Sequence, residues 1–213
     1  MPKNLLIKVC GMKERNNIIQ LTELPIDYIG HIFYPKSARY VEGLIDVDLP
    51  ARIKKTGVFV NVGLNGILDQ VKKHSLNTVQ LHGNESAELA ESLRNTGIEV
   101  IKAFGIDSNF AWHQLEGYLN HVDYFLFDSK SPQYGGTGET FDWQKLKEYP
   151  FDKPYFLSGG LSLENLNEAL QFEDNRLVGL DLNSKFEIEP GLKNIEKLKL
   201  ALKIIRNEQI SSK

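Results

Sequence analysis

The chain has 213 residues, and its 25 lysines and arginines against 28 aspartates and glutamates give a formal charge of −3. No basic stripe dominates it, so nothing asks for nucleic acid or an anionic membrane surface as a partner. With 41% hydrophobic and 25% charged residues it reads as an ordinary globular protein, and its one cysteine, Cys10, excludes an internal disulfide or a multi-cysteine metal site.

Met1-Pro2-Lys3-Asn4 is followed by only three consecutive aliphatic residues before Lys8. A signal peptide needs roughly 7–15 apolar residues and a membrane helix about 20. With a lone thiol, which suits a reducing compartment, a cytoplasmic location is expected. Short β-branched or aromatic runs then recur: 5–10, 27–33, 56–62, 77–81, 98–104, 122–128, 154–158 and 177–182. Several are apolar at consecutive positions, as in strands covered on both faces. Helical spacing lies between them, as at Ile67, Val71 and His74, and marks a C-terminal helix at Ile195, Leu198, Ala201 and Ile205. Strand and helix repeated eight times predict an α/β fold, a (β/α)8 TIM barrel formed by residues 1–213 as a single domain. A doubly wound open sheet is the alternative. It usually has fewer strands, so eight evenly spaced units favour closure.

The two longest intervals follow the second and sixth strands, and carry Tyr34–Tyr40 and Ser129–Thr140. In such barrels the active site is built where strands end and βα loops begin, and long loops there tend to be functional.

Cys10 ends the first strand. Alternation puts Lys8 and Cys10 on one face, pointing into the barrel, with Ile7 and Val9 on the other. A nearby ammonium would lower the thiol and make thiolate available. Free cysteine is also among the most buried residue types, so inert packing would equally account for it. Asp128 ends the sixth strand on the face of Leu126 and Tyr124. A carboxylate there is costly to bury unless paired or protonated, which suits a general acid; a cap or turn aspartate is the plainer reading. Ser158-Gly159-Gly160 follows the seventh strand and Asn183-Ser184-Lys185 the eighth, the usual place for a phosphate in these barrels, although both would also serve as ordinary turns. Arg39 could hold a carboxylate bidentately. Gly135-Gly136-Thr137-Gly138 fits neither a P-loop nor a dinucleotide fingerprint and reads as a lid or a merely flexible loop. Gln80 and His82 read as polar residues of the barrel mouth. The other histidines show no metal-ligand spacing.

Taken together, Lys8-Val9-Cys10-Gly11, Phe33–Tyr40, Val60-Asn61-Val62, Val79–Gly83, Asp128 with Gly135–Gly138 and Phe141-Asp142-Trp143, Ser158–Leu161 and Gly179–Ser184 resemble the phosphoribosylanthranilate isomerases. The resemblance runs nearly end to end. It implies an Amadori rearrangement of N-(5-phosphoribosyl)anthranilate in tryptophan biosynthesis, without redox chemistry and therefore without a cofactor, in a monomer or homodimer. It implies Asp128 as general acid, Cys10 as general base, Arg39 on the anthranilate carboxylate and Asp181 beside its amine. Gly159, Gly160 and Ser184 would cradle phosphate, with Gly136 in the loop over the substrate. Three residues depart from the family's usual pattern. Ala38 stands where proline is usual, loosening the turn that carries Arg39. Lys185 stands where glycine is usual, which would strain a positive φ. His31 stands where an aromatic or aliphatic residue is more common. Two other readings stay open at this point: a different phosphosugar isomerase or epimerase, and a barrel that binds a phosphosugar without turnover.

Overall fold

The computed structural model describes residues 5–43, 47–130 and 140–206. Eight parallel strands close into a barrel in sequence order: β1 (Leu6–Val9), β2 (Tyr28–Ile32), β3 (Lys54–Phe59), β4 (Thr78–Leu81), β5 (Glu99–Ile106), β6 (Tyr124–Ser129), β7 (Tyr155–Leu157) and β8 (Leu177–Leu182). All eight expected runs are strands of this barrel. The third begins and ends earlier than expected, because Lys54 and Lys55 pair with Tyr28 and Ile29 of β2.

The helical half of the expectation is corrected. Helices α1 (Arg15–Thr22), α2 (Leu64–His74), α3 (Ala87–Arg94), α4 (Leu166–Gln171) and α5 (Ile195–Ile205) follow β1, β3, β4, β7 and β8. After β5 and β6 the chain forms 3₁₀ segments instead, Trp112–Tyr118 and Trp143–Glu148. Gly117, a poor helix former, lies near the end of the first, and Pro150 and Pro154 stop the second from growing. Among the described residues no helix lies between β2 and β3. No helix of the described residues is long and apolar enough to cross a membrane.

Strand alternation divides the molecule into two cores. Outward-facing Ile7, Val9, Val79, Leu81, Val100, Phe125, Phe127 and Leu180 pack beneath the helices. Inside the barrel, Tyr28, Ile101, Ala103, Leu126 and Phe156, with Leu6, Tyr124 and Val178 against them, fill the half nearer the strand N-termini. At that end side chains just before the strands satisfy neighbouring backbone donors. Asp27 accepts from Ile7 N at 2.7 Å, Asn77 from Lys55 N at 2.9 Å and Asp123 from Val100 N at 2.8 Å. Towards the strand C-termini the inward residues turn polar: Lys8, Thr56, Gln80, Asp128 and Asp181 are all buried. An apolar floor beneath a polar mouth is the arrangement that carries the site.

Candidate active site

A cavity of about 700 Å³ opens at the mouth, lined among others by Cys10, Arg39, Asp128, Asp181, His82 and Ser158. Four of the expected residues, Cys10, Arg39, Asp128 and Asp181, therefore share one cavity, from the ends of β1, β6 and β8 and from the loop after β2. Gly159, Gly160 and Ser184 are not among its lining residues and stand in the adjoining loops after β7 and β8. Gly136 lies outside the described residues.

Cys10 follows β1, and its backbone N–H donates to Leu182 O at 3.0 Å. Its thiol lies against Gly30 of β2, where an added Cβ would sit 2.7 Å from Sγ, so the glycine leaves the sulfur its space. Gly11 turns the chain at φ +80 and donates to Gly30 O at 2.9 Å. Lys8 faces inward with Cys10, as expected. Its ammonium, fully buried, pairs with Asp181 at 3.0 Å from the register position beside it on β8. The expected effect of Lys8 on the thiol is present but outweighed. Burial pushes Cys10 above its ordinary value, Lys8 opposes this, and Asp181 adds to the rise. Burial also pushes Asp181 above the usual carboxylate range, against Lys8 and with Asp128.

Asp128 is buried and paired. Oδ1 accepts from Ser129 N at 2.8 Å, and Oδ2 lies 3.5 Å from His82 Nε2. The Gln80 amide lies 2.8 Å from His82 Nδ1, which fixes the ring with Nε2 towards Asp128. Gly159, at φ +81, passes so close that an added Cβ would meet Ser129 N at 2.6 Å and Asp128 Oδ1 at 2.9 Å. This glycine makes room for the Asp128 carboxylate. Beyond it, Gly160 has φ +66 and its carbonyl accepts from Asn165 Nδ2 at 3.0 Å.

Arg39 sits in a turn held by Ser37 N to Tyr34 O at 2.9 Å, Tyr40 N to Ser37 O at 3.0 Å and Arg39 N to Ser37 Oγ at 3.1 Å. Alanine at position 38 leaves these bonds in place. The guanidinium meets Glu187 side-on, Nε at 2.9 Å from Oε1 and Nη2 at 2.7 Å from Oε2. Glu187 opens β9 (Glu187–Glu189), which pairs with β10 (Leu192–Lys193) in a hairpin after β8. The buried Lys193 ammonium lies 2.6 Å from Glu187 Oε1 and 2.8 Å from Asn183 Oδ1; burial lowers it to about 8. Ser184 opens a 3₁₀ turn, Ser184–Phe186. Lys185 is exposed and does not adopt a positive φ, so lysine is unstrained there. Glu187, Lys193 and the neighbourhood of His82 to Asp128 were not found in the sequence. The hairpin's Pro190-Gly191 turn was its only local signal. Among the described residues no group of three His, Cys, Asp or Glu could hold a metal ion.

Residues 7–204 match the family model described as N-(5'phosphoribosyl)anthranilate (PRA) isomerase. The chain belongs to this family. It is similar to the N-(5'-phosphoribosyl)anthranilate isomerase of Parabacteroides distasonis, 43% identical over 92% of this chain and 90% of that protein. The crystal structure of phosphoribosyl anthranilate isomerase from Thermotoga maritima superposes with a TM-score of 0.82 at 35% identity, covering 95% of this chain and 99% of that one. A structure of phosphoribosyl anthranilate isomerase in complex with reduced 1-(o-carboxyphenylamino)-1-deoxyribulose 5-phosphate superposes at 0.78 and 31% identity, covering 95% and 99%.

Proposed function

We propose that the chain isomerises N-(5'-phosphoribosyl)anthranilate to 1-(2-carboxyphenylamino)-1-deoxy-D-ribulose 5-phosphate, the Amadori rearrangement of tryptophan biosynthesis. Membership of the isomerase family supports the reaction. The observation that carries the residue roles is that Cys10 and Asp128, from β1 and β6, line the same cavity with Asp181 and Arg39. Asp128, as general acid, passes a proton to the ribose ring oxygen, and the ring opens as the anthranilate nitrogen forms the Schiff base. The Cys10 thiolate removes the C2′ proton, giving the enolamine, which takes a proton at C1′ as its C2′ hydroxyl gives one up and becomes the amino-ketone. Arg39 holds the anthranilate carboxylate, and Asp181 faces its amine. Backbone N–H groups around Gly159, Gly160 and Ser184 hold the phosphate, Gly136 contributes to substrate binding, and the reaction needs no cofactor. We further propose that residues 1–213 act as one catalytic domain in the cytoplasm. Either a monomer or a homodimer fits; one solved relative is described as dimeric.

The test is a fluorescence assay with freshly generated phosphoribosylanthranilate and no added metal or nucleotide. Turnover that falls at least ~10²-fold in Asp128→Asn, as expected on losing a positioned acid, supports both the reaction and the acid. Saturable binding of the reduced product analogue without turnover would instead favour a barrel that only binds phosphosugars.

A further inference from the structure

We propose that Glu187 is a positioning residue for Arg39: it grips one edge of the guanidinium so that the opposite edge is presented, pre-oriented, to the substrate's carboxylate. This rests on the reading above in which Arg39 binds that carboxylate.

A guanidinium is planar and has two edges that can each take a carboxylate, one through Nε and Nη2, the other through Nη1 and the second hydrogen of Nη2. Glu187 occupies the first edge, with Nε 2.9 Å from Oε1 and 3.0 Å from Oε2, and Nη2 2.7 Å from Oε2. Among the described residues Nη1 donates to nothing. Arg39 lines the cavity, so its second edge is the part of the fork still able to bind there.

Glu187 is itself fixed. Its Oε1 also accepts from Lys193 Nζ at 2.6 Å and Gly191 N at 3.1 Å, and its side chain is only 5% exposed. Lys193 is anchored in turn. Its N–H donates to Asn17 Oδ1 at 2.7 Å, its carbonyl accepts from Asn17 Nδ2 at 2.9 Å, and both bonds tie the hairpin to α1. On the other side the arginine stem lies over Gly11, where an added Cβ would stand 2.6 Å from Cδ. Hairpin, glycine turn and helix thus remove the rotamer freedom that Arg39 would otherwise lose on binding, and such pre-ordering favours affinity.

The experiment compares Glu187→Gln, Arg39→Ala, the double variant and Arg39→Lys, reading KM, kcat and the dissociation constants of the reduced product analogue and of inorganic phosphate. Glu187→Gln is expected to raise KM and weaken the analogue about ten-fold, the scale of one charge-assisted bond, with kcat and phosphate binding little changed. The double variant should bind the analogue no worse than Arg39→Ala. Arg39→Lys keeps the charge but lacks the second edge, so it should weaken the analogue nearly as far as Arg39→Ala. Wild-type analogue binding in Glu187→Gln or in Arg39→Lys, or additive losses in the double variant, overturns the positioning role. If Arg39→Ala itself binds the analogue normally, the carboxylate role of Arg39 fails first and the inference falls with it.

Discussion

His31 should make this barrel acid-sensitive by an amount that can be worked out. The imidazole is fully buried on β2; its Nδ1 donates to Met12 O at 2.8 Å, and Nε2 has no partner among the described residues. A second proton would put a charged N–H into a dry space, in the field of Lys55, His74 and Lys8. Burial first, then those charges, lower His31 from 6.5 to about 4. Between about pH 4 and 6.5 the folded protein binds fewer protons at this site than the unfolded chain. The stability His31 contributes is therefore complete above 6.5 and lost as pH falls toward 4, reaching about 3 kcal/mol in full. From pH 7 to pH 5 the loss is about 2 kcal/mol, or about 4–8 °C in Tm for a domain of this size. Denaturant melts of wild type and His31→Phe at both pH values measure it. His74 is also pushed down by burial, so the variant keeps some slope, and the difference between the two proteins belongs to His31. Equal slopes would refute the reasoning, whatever the variant's absolute stability.

Cys10→Ser should lose at least ~10³-fold in turnover, since a hydroxyl is a far weaker base. Gly159→Ala would force a Cβ onto Ser129 N and Asp128 Oδ1 at a positive φ. It is expected to cost about 1–3 kcal/mol in stability and to lower kcat at least ten-fold, whereas a change in phosphate affinity alone would show that the glycine serves only the phosphate loop.

Much of this was legible in the sequence because it depends on residues close together in the chain. Two-residue alternation put Lys8 and Cys10 on one face, and Asp128 with Leu126, and the barrel keeps both assignments. The eightfold strand–helix repeat passed over the short segments 112–118 and 143–148, where a glycine within the first and prolines after the second favour a 3₁₀ turn over a longer α-helix. The partners that set the chemistry were not legible. Glu187 lies 148 residues from Arg39 and Asp181 lies 173 from Lys8, so only barrel closure brings them together. The net direction of the Cys10 shift was not legible for the same reason. Lys8, two residues away, was visible, whereas the burial that outweighs it and the carboxylate that competes for its charge were not.

That competition follows from the barrel floor. Beneath Lys8 the interior is filled by Leu6, Tyr28, Leu126 and Phe156, so no water can solvate the ammonium from below, and its charge needs an anion at the level of the mouth. Asp181, beside it on β8, is that anion. Removing one member of such a buried pair generally costs about 3–5 kcal/mol, because the other is left uncompensated. Lys8 therefore serves two partners, Asp181 and Cys10. Lys8 lowers the thiol, but Asp181 acts the other way and burial outweighs the lysine, so the cysteine stands above its ordinary value.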